Sequence, residues 1–91
     1  MKVVTIECAS WYQREDGFIQ VLTVHGKTVI LNEVFSKIWL IIEDEIRIDE
    51  LIKKVGNSLS SEEIEQILSE LMVAEMISVN DESNDFNTMF S

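Results

Sequence analysis

Proline is absent from this chain of 91 residues, cysteine and histidine occur once each, and glycine occurs three times. A single cysteine, Cys8, excludes an intramolecular disulfide and with it a small secreted scaffold held by staples. Without a CxxC neighbour or a second histidine it also argues against a zinc-type metal site. One histidine, His25, leaves a serine or cysteine nucleophile almost no choice of base. There is no glycine-rich phosphate loop. Positive charge is scarce as well: Lys and Arg number 7 against 17 Asp and Glu, for a net charge of −10. A nucleic-acid binder needs a basic stripe to displace counterions from phosphates, and docking on anionic lipid needs the same. Neither partner is expected here, whereas a protein or a basic peptide is compatible with the balance. The longest apolar run, residues 38–42, is far short of the ~20 residues that span a bilayer. The N-terminal segment has no apolar signal-peptide core. These absences lead us to expect a cytoplasmic protein that is not an enzyme and holds neither metal nor cofactor.

What is present is apolar residue, 46% of the chain. That suffices for one core, although a domain of this size buries only roughly 60–65% of its unfolded surface and has little volume for a deep site. Residues 1–79 read as one domain. Residues 80–91 are rich in Asn, Asp and Ser, lack periodicity and read as a disordered acidic tail, with Phe86, Met89 and Phe90 as its apolar members.

The first third of the chain reads as strands. Residues 3–6 form a short β-favouring run, and residues 10–14 form a second that ends at the turn pair Asp16-Gly17. Residues 18–24 and 27–31 follow on either side of His25-Gly26, where Gly26 supplies positive φ and His25 tolerates the left-handed region. Together residues 10–31 predict a three-stranded antiparallel meander, which needs a covering layer. Helices supply it. Asn32 is a natural N-cap, and Phe35, Ile38, Trp39 and Ile42 share one helix face. Ile48, Leu51, Ile52 and Val55 repeat that spacing, with Gly56 as a stop. Ser60 and Glu63 form a capping box, Leu59 and Ile64 stand at staple positions, and Ile64, Ile67, Leu68 and Leu71 form a third apolar stripe. Residues 76–79 read as extended and as a possible partner for residues 3–6. The expected fold is α+β, winged-helix-like, with a three-stranded antiparallel sheet packed on three helices.

Few side chains suggest chemistry. His25 has a turn role, and a lone cysteine is most often a small buried residue. Glu43, Asp44 and Glu45 sit at a helix end, and Glu62 and Glu63 sit in a helix first turn, where the dipole favours negative charge. Trp39 belongs to the core. Trp11 and Tyr12 point to opposite faces of a strand, so one of them is exposed as a binding anchor or an edge residue. The remaining opportunity is an edge. Residues 27–31 close the meander with one charge, Lys27, and no proline, so an extended peptide can add beside them unless residues 1–7 cover that edge.

Certain motifs resemble the PqqD-like family. They are Val29-Ile30-Leu31-Asn32-Glu33, Ile38-Trp39 followed by Glu43-Asp44, Ile48-Asp49-Glu50-Leu51, Ile67-Leu68-Ser69-Glu70-Leu71 and Met76-Ile77. The likeness spans about residues 10–79. It implies a RiPP recognition element, a domain that binds the leader of a ribosomally made precursor peptide as an added strand and presents it to a modifying enzyme. On this reading Lys27, Thr28, Val29, Ile30 and Leu31 offer the edge, and Glu63, Ile64, Ile67, Glu70 and Leu71 offer the helix wall of a groove. The modifying enzyme would be a radical-SAM, cyclising or protease partner, and the chain itself a monomer or weak dimer. The family's Asp-Gly after the first helix is Glu43-Asp44 here, its Thr cap is Arg47, and its late glycine is Glu75. Glu75 costs about 1 kcal/mol if that position is left-handed. Two other readings compete: an acidic adaptor without a peptide ligand, and a DNA-binding regulator. The second is opposed by the third helix, which carries Glu62, Glu63, Glu65 and Glu70 and no basic residue.

Overall fold

The strands and helices of the computed structural model, which describes residues 2–81, alternate in an α+β order. They are β1 (Lys2–Ile6), β2 (Ser10–Gln13), β3 (Ile19–Leu22), β4 (Thr28–Ile30), α1 (Glu33–Ile42), β5 (Glu45–Arg47), α2 (Ile48–Val55), α3 (Ser61–Val73) and β6 (Ile77–Asp81).

The expected meander is present as an antiparallel sheet in the order β2-β3-β4, with Tyr12 opposite Gln20 and Gln20 opposite Ile30. Its two hairpins close in the same way. The Arg14 amide donates to the Phe18 carbonyl, and the Thr23 amide donates to the Lys27 carbonyl, both at 2.8 Å. Glu15, Asp16 and Gly17 fill one loop, and Val24, His25 and Gly26 fill the other. Each loop ends on a glycine of positive φ, 90° at Gly17 and 85° at Gly26. This is the three-residue loop whose last position is left-handed. The expectation that His25-Gly26 forms a two-residue connection is therefore corrected. Gly26 carries the left-handed backbone, and His25 is not asked to adopt it.

One sheet was expected and two are found. The second has the order β5-β1-β6, all antiparallel, with Val4 between Ile46 and Val79. The pairing of residues 76–79 with residues 3–6 holds, and β6 runs on to Asp81, which lies opposite Lys2. Asn80 and Asp81 are thus strand rather than tail. The rest of the expected tail lies outside the described residues. β5 was not foreseen: Glu45 leaves the acidic cluster and enters a strand, where its Oε1 accepts from the Thr5 hydroxyl at 3.3 Å.

The helices start where their caps place them. Asn32 Oδ1 accepts from the Phe35 amide at 2.9 Å. The Ser60–Glu63 box is complete, each side chain accepting from the other's backbone amide at 3.2 Å. At Arg47, which stands in the cap position of α2, no side-chain capping bond forms. Between the sheets and helices lies the core, with Val4, Ile19, Val21, Trp39, Leu51, Ile64 and Leu71 fully buried. Trp11 packs edge-on against Trp39, ring centroids 6.1 Å apart at 83°. The Trp39 Nε1 is buried without a hydrogen-bond partner among the described residues.

Candidate functional site

Alternation along β4 answers a question that sequence left open. Leu31 is buried and Val29 is half-buried, and both pack on the core cluster. Thr28 and Ile30 point away from it, and Ile30 is 51% exposed. The backbone follows the same alternation. Lys27 and Leu31 face β3 through the Thr23 amide-to-Lys27 carbonyl bond and the Leu31 amide-to-Ile19 carbonyl bond, both 2.8 Å. Val29 lies opposite Val21 at the same phase. The amide and carbonyl groups of Thr28 and Ile30 therefore point away from β3. Among the described residues β4 has one strand neighbour, and β1 does not cover the open side because it lies between β5 and β6. The possibility that residues 1–7 block this edge is set aside for residues 2–6.

β4 is held in place by a residue the sequence did not single out. Ser36 is buried on α1. Its Oγ donates to the Leu31 carbonyl at 3.1 Å and accepts from the Ile19 amide at 3.0 Å. One hydroxyl thus ties the start of β3 and the end of β4 to the helix. In sequence Ser36 is one small polar residue among apolar ones, and its burial is decided by the sheet above it.

The helix wall needs correction. Ile64, Ile67 and Leu71 are core residues, at most 6% exposed, and the core has already taken the face they form. Glu63 is engaged in its capping box. Glu70 is exposed and does not line the cleft beside β4. The cleft beside β4 has a volume of about 430 Å³ and is lined by Thr23, His25, Lys27, Val29, Val73, Ala74 and Glu75. Its far wall is thus the last turn of α3 and the residues after it. Lys27 and Val29 alone of the expected set line it. A signal was available: Val73 is an apolar residue off the buried stripe, and it is 83% exposed.

A side-chain contact joins the two walls at this end. The imidazole Nε2 of His25 meets Glu75 Oε2, linking the β3–β4 loop to the turn after α3. Both residues are exposed, so solvent screens the pair. Glu75 does occupy the left-handed region, with φ of 60°, as does Glu43 after α1. A larger opening, of about 590 Å³, lies between α2, α3, the start of β1 and the middle of β6. It is lined by Lys2, Asp49 and Glu65 together with Leu68, Met72 and Val79. The β6 edge beside it ends on polar Asn80 and Asp81, whereas β4 carries no charge within the strand.

Cys8 is half-buried, and desolvation pushes its thiol above the ordinary value, which keeps it in the protonated form at neutral pH. Among the described residues no group of three His, Cys, Asp or Glu side chains is placed to hold a metal ion. No helix among them is long and apolar enough to cross a membrane. The β4 edge offers outward backbone donors and acceptors, and a half-apolar cleft lies beside it. Comparison with known proteins brings no relative to bear on this geometry: no family model, no curated protein and no solved structure matches the chain.

Proposed function

We propose that this chain is a stand-alone leader-peptide-binding chaperone of the PqqD-like, winged-helix-like kind, working in the cytoplasm. It takes up a ribosomally made precursor peptide and presents it to a separate modifying enzyme. The observation that carries the reading is the open edge of β4, with the Thr28 and Ile30 backbone groups directed away from β3 beside the cleft that ends at Val73–Glu75. A peptide laid along β4 bonds to those groups and places alternate side chains against Val29 and the end of α3. The motifs around residues 29–33 and 67–77 are the second support. Catalysis belongs to the partner, a radical-SAM, cyclising or protease enzyme.

The test is a fluorescence-polarisation titration with the leader peptide encoded beside this gene. Binding with a dissociation constant below about 10 μM, roughly −7 kcal/mol, is expected. Ile30→Pro removes an outward amide that β3 does not use, and should abolish binding while the far-ultraviolet helix signal stays unchanged. Undiminished binding by the folded variant would sink the strand-addition mechanism.

A further inference from the structure

Three apolar residues singled out in the sequence, Phe86, Met89 and Phe90, have no part in the peptide reading. They belong to residues 82–91, which follow β6 and lie outside the described residues. The same stretch carries two acids, Glu82 and Asp85, and no base. Burying its rings takes an apolar surface, and its acids favour one bordered by positive charge. A cleft of that kind lies between α1 and the end of α2. It has a volume of about 220 Å³, and Val34, Ile41, Val55 and Leu59 are among its lining. Ile41, Val55 and Leu59 pack against the core yet stay half-buried, and Val34 is 41% exposed. The charged residues that line the cleft are Lys37 and Lys54, both basic, in a chain where acids outnumber bases 17 to 7. Glu33 stands 3.7 Å from Lys37, whereas the Lys54 side chain has no ion-pair partner among the described residues.

We infer that residues 82–91 of the same chain occupy this cleft, with a phenylalanine ring among Val34, Ile41, Val55 and Leu59 and the carboxylates of Glu82 and Asp85 on the side of Lys37 and Lys54. Room is sufficient, since an apolar cavity of roughly 150 Å³ accepts benzene. Reach is sufficient too. Asn80 lies opposite Val3, and Val3 lies opposite Arg47, two steps of roughly 5 Å each. From Arg47 the helix α2 rises by roughly 12 Å to Val55. The cleft is therefore at most about 25 Å from Asn80, and the chain from Asn80 to Phe90 extends to roughly 33 Å. Charge decides between this cleft and the larger opening, which Val79 lines and which lies closer to residue 82. Asp49 and Glu65 on that lining oppose Glu82 and Asp85. Covalent attachment holds the segment at an effective concentration of the order of millimolar. A contact too weak to join separate molecules is thereby occupied within one. The cleft shares no lining residue with the one beside β4, so the inference does not rest on the peptide reading.

Nuclear Overhauser spectroscopy on the full chain tests this. Ring protons of Phe86 or Phe90 should show contacts to the methyl groups of Val34, Ile41, Val55 and Leu59. The double variant Lys37→Glu with Lys54→Glu, both at exposed positions, should lose those contacts while circular dichroism shows it folded. Adding Glu82→Lys and Asp85→Lys to that variant should restore them, because the charges are exchanged. Salt covers the case in which the double variant fails to fold: the wild-type contacts should weaken in 1 M sodium chloride, where the Debye length is about 3 Å. A wild-type chain without these contacts, or with ring contacts to Val29 and Val73 beside β4 instead, would overturn the proposal. So would contacts that survive undiminished in the folded Lys37→Glu, Lys54→Glu protein.

Discussion

The two sheets of this molecule have the same number of strands and the same antiparallel pairing, yet they turn different faces to solvent. In the β5-β1-β6 sheet the face away from Val4 carries Val3 beside Arg47 and Asn80, and Thr5 beside Glu45 and Ser78. That is the polar pattern expected of a sheet in contact with water. In the β2-β3-β4 sheet the corresponding face carries the exposed Tyr12, Leu22 and Ile30 between Ser10, Gln20 and Thr28. The sheets also differ in origin. The first gathers segments from both ends of the described chain and from between two helices, and so contributes to holding the domain together. The second is built from contiguous residues with two tight hairpins and stays open at β4. The difference teaches that one sheet closes the fold, whereas the other keeps an open strand edge among the described residues.

The largest effect that sharpens this contrast comes from the inner face of the open sheet. Ile19 is fully buried there. Ile19→Ala should cost about 2–5 kcal/mol in urea unfolding, as for other buried aliphatic truncations. Leu22→Lys on the opposite side of the same strand should move stability by no more than roughly 0.5 kcal/mol. Equal losses for the two would mean that the outer face is not free.

Next in size is the pin between sheet and helix. Ser36→Ala leaves the buried Ile19 amide without its acceptor and removes the bond to the Leu31 carbonyl. A loss of about 1–3 kcal/mol is expected. Leader affinity should weaken along with it, because β4 loses its anchor to α1. An unchanged urea midpoint would show that the hydroxyl does not fix the sheet.

The smallest effect is a gain. Glu75 holds φ of 60° without the freedom of glycine. Glu75→Gly should raise stability by about 1 kcal/mol, or some 4–8 °C in a domain of this size. The gain is reduced by whatever the screened His25 contact contributes. A lower melting temperature would assign that contact more weight than its exposure suggests.

Much of this was readable from residues alone, for local reasons. Asn32, the Ser60–Glu63 pair, Gly17, Gly26 and Gly56 act on their own neighbours, so caps, turns and helix stripes could be placed without tertiary knowledge. Features that depend on long-range contacts could not. β5 is Glu45-Ile46-Arg47, with one inward side chain, and three residues carry no period to recognise. The stripe of Ile64, Ile67 and Leu71 identified the buried face of α3 correctly. The error was to assign that same face to a groove, when the flank beside β4 is set by how the helix end docks and falls at Val73–Glu75. Ser36 illustrates the same limit, since nothing near it in sequence announces two bonds to segments on the sheet.

Amide hydrogen exchange by NMR, with and without the leader peptide, tests the central claim most directly. In the free protein the Val21 amide, inside the β3–β4 ladder, should be protected, and those of Thr28 and Ile30 should exchange rapidly because they face away from β3. Addition of the leader should protect Thr28 and Ile30 selectively. A leader that binds while Thr28 and Ile30 keep exchanging as fast as before would contradict the account and move the site off the β4 edge.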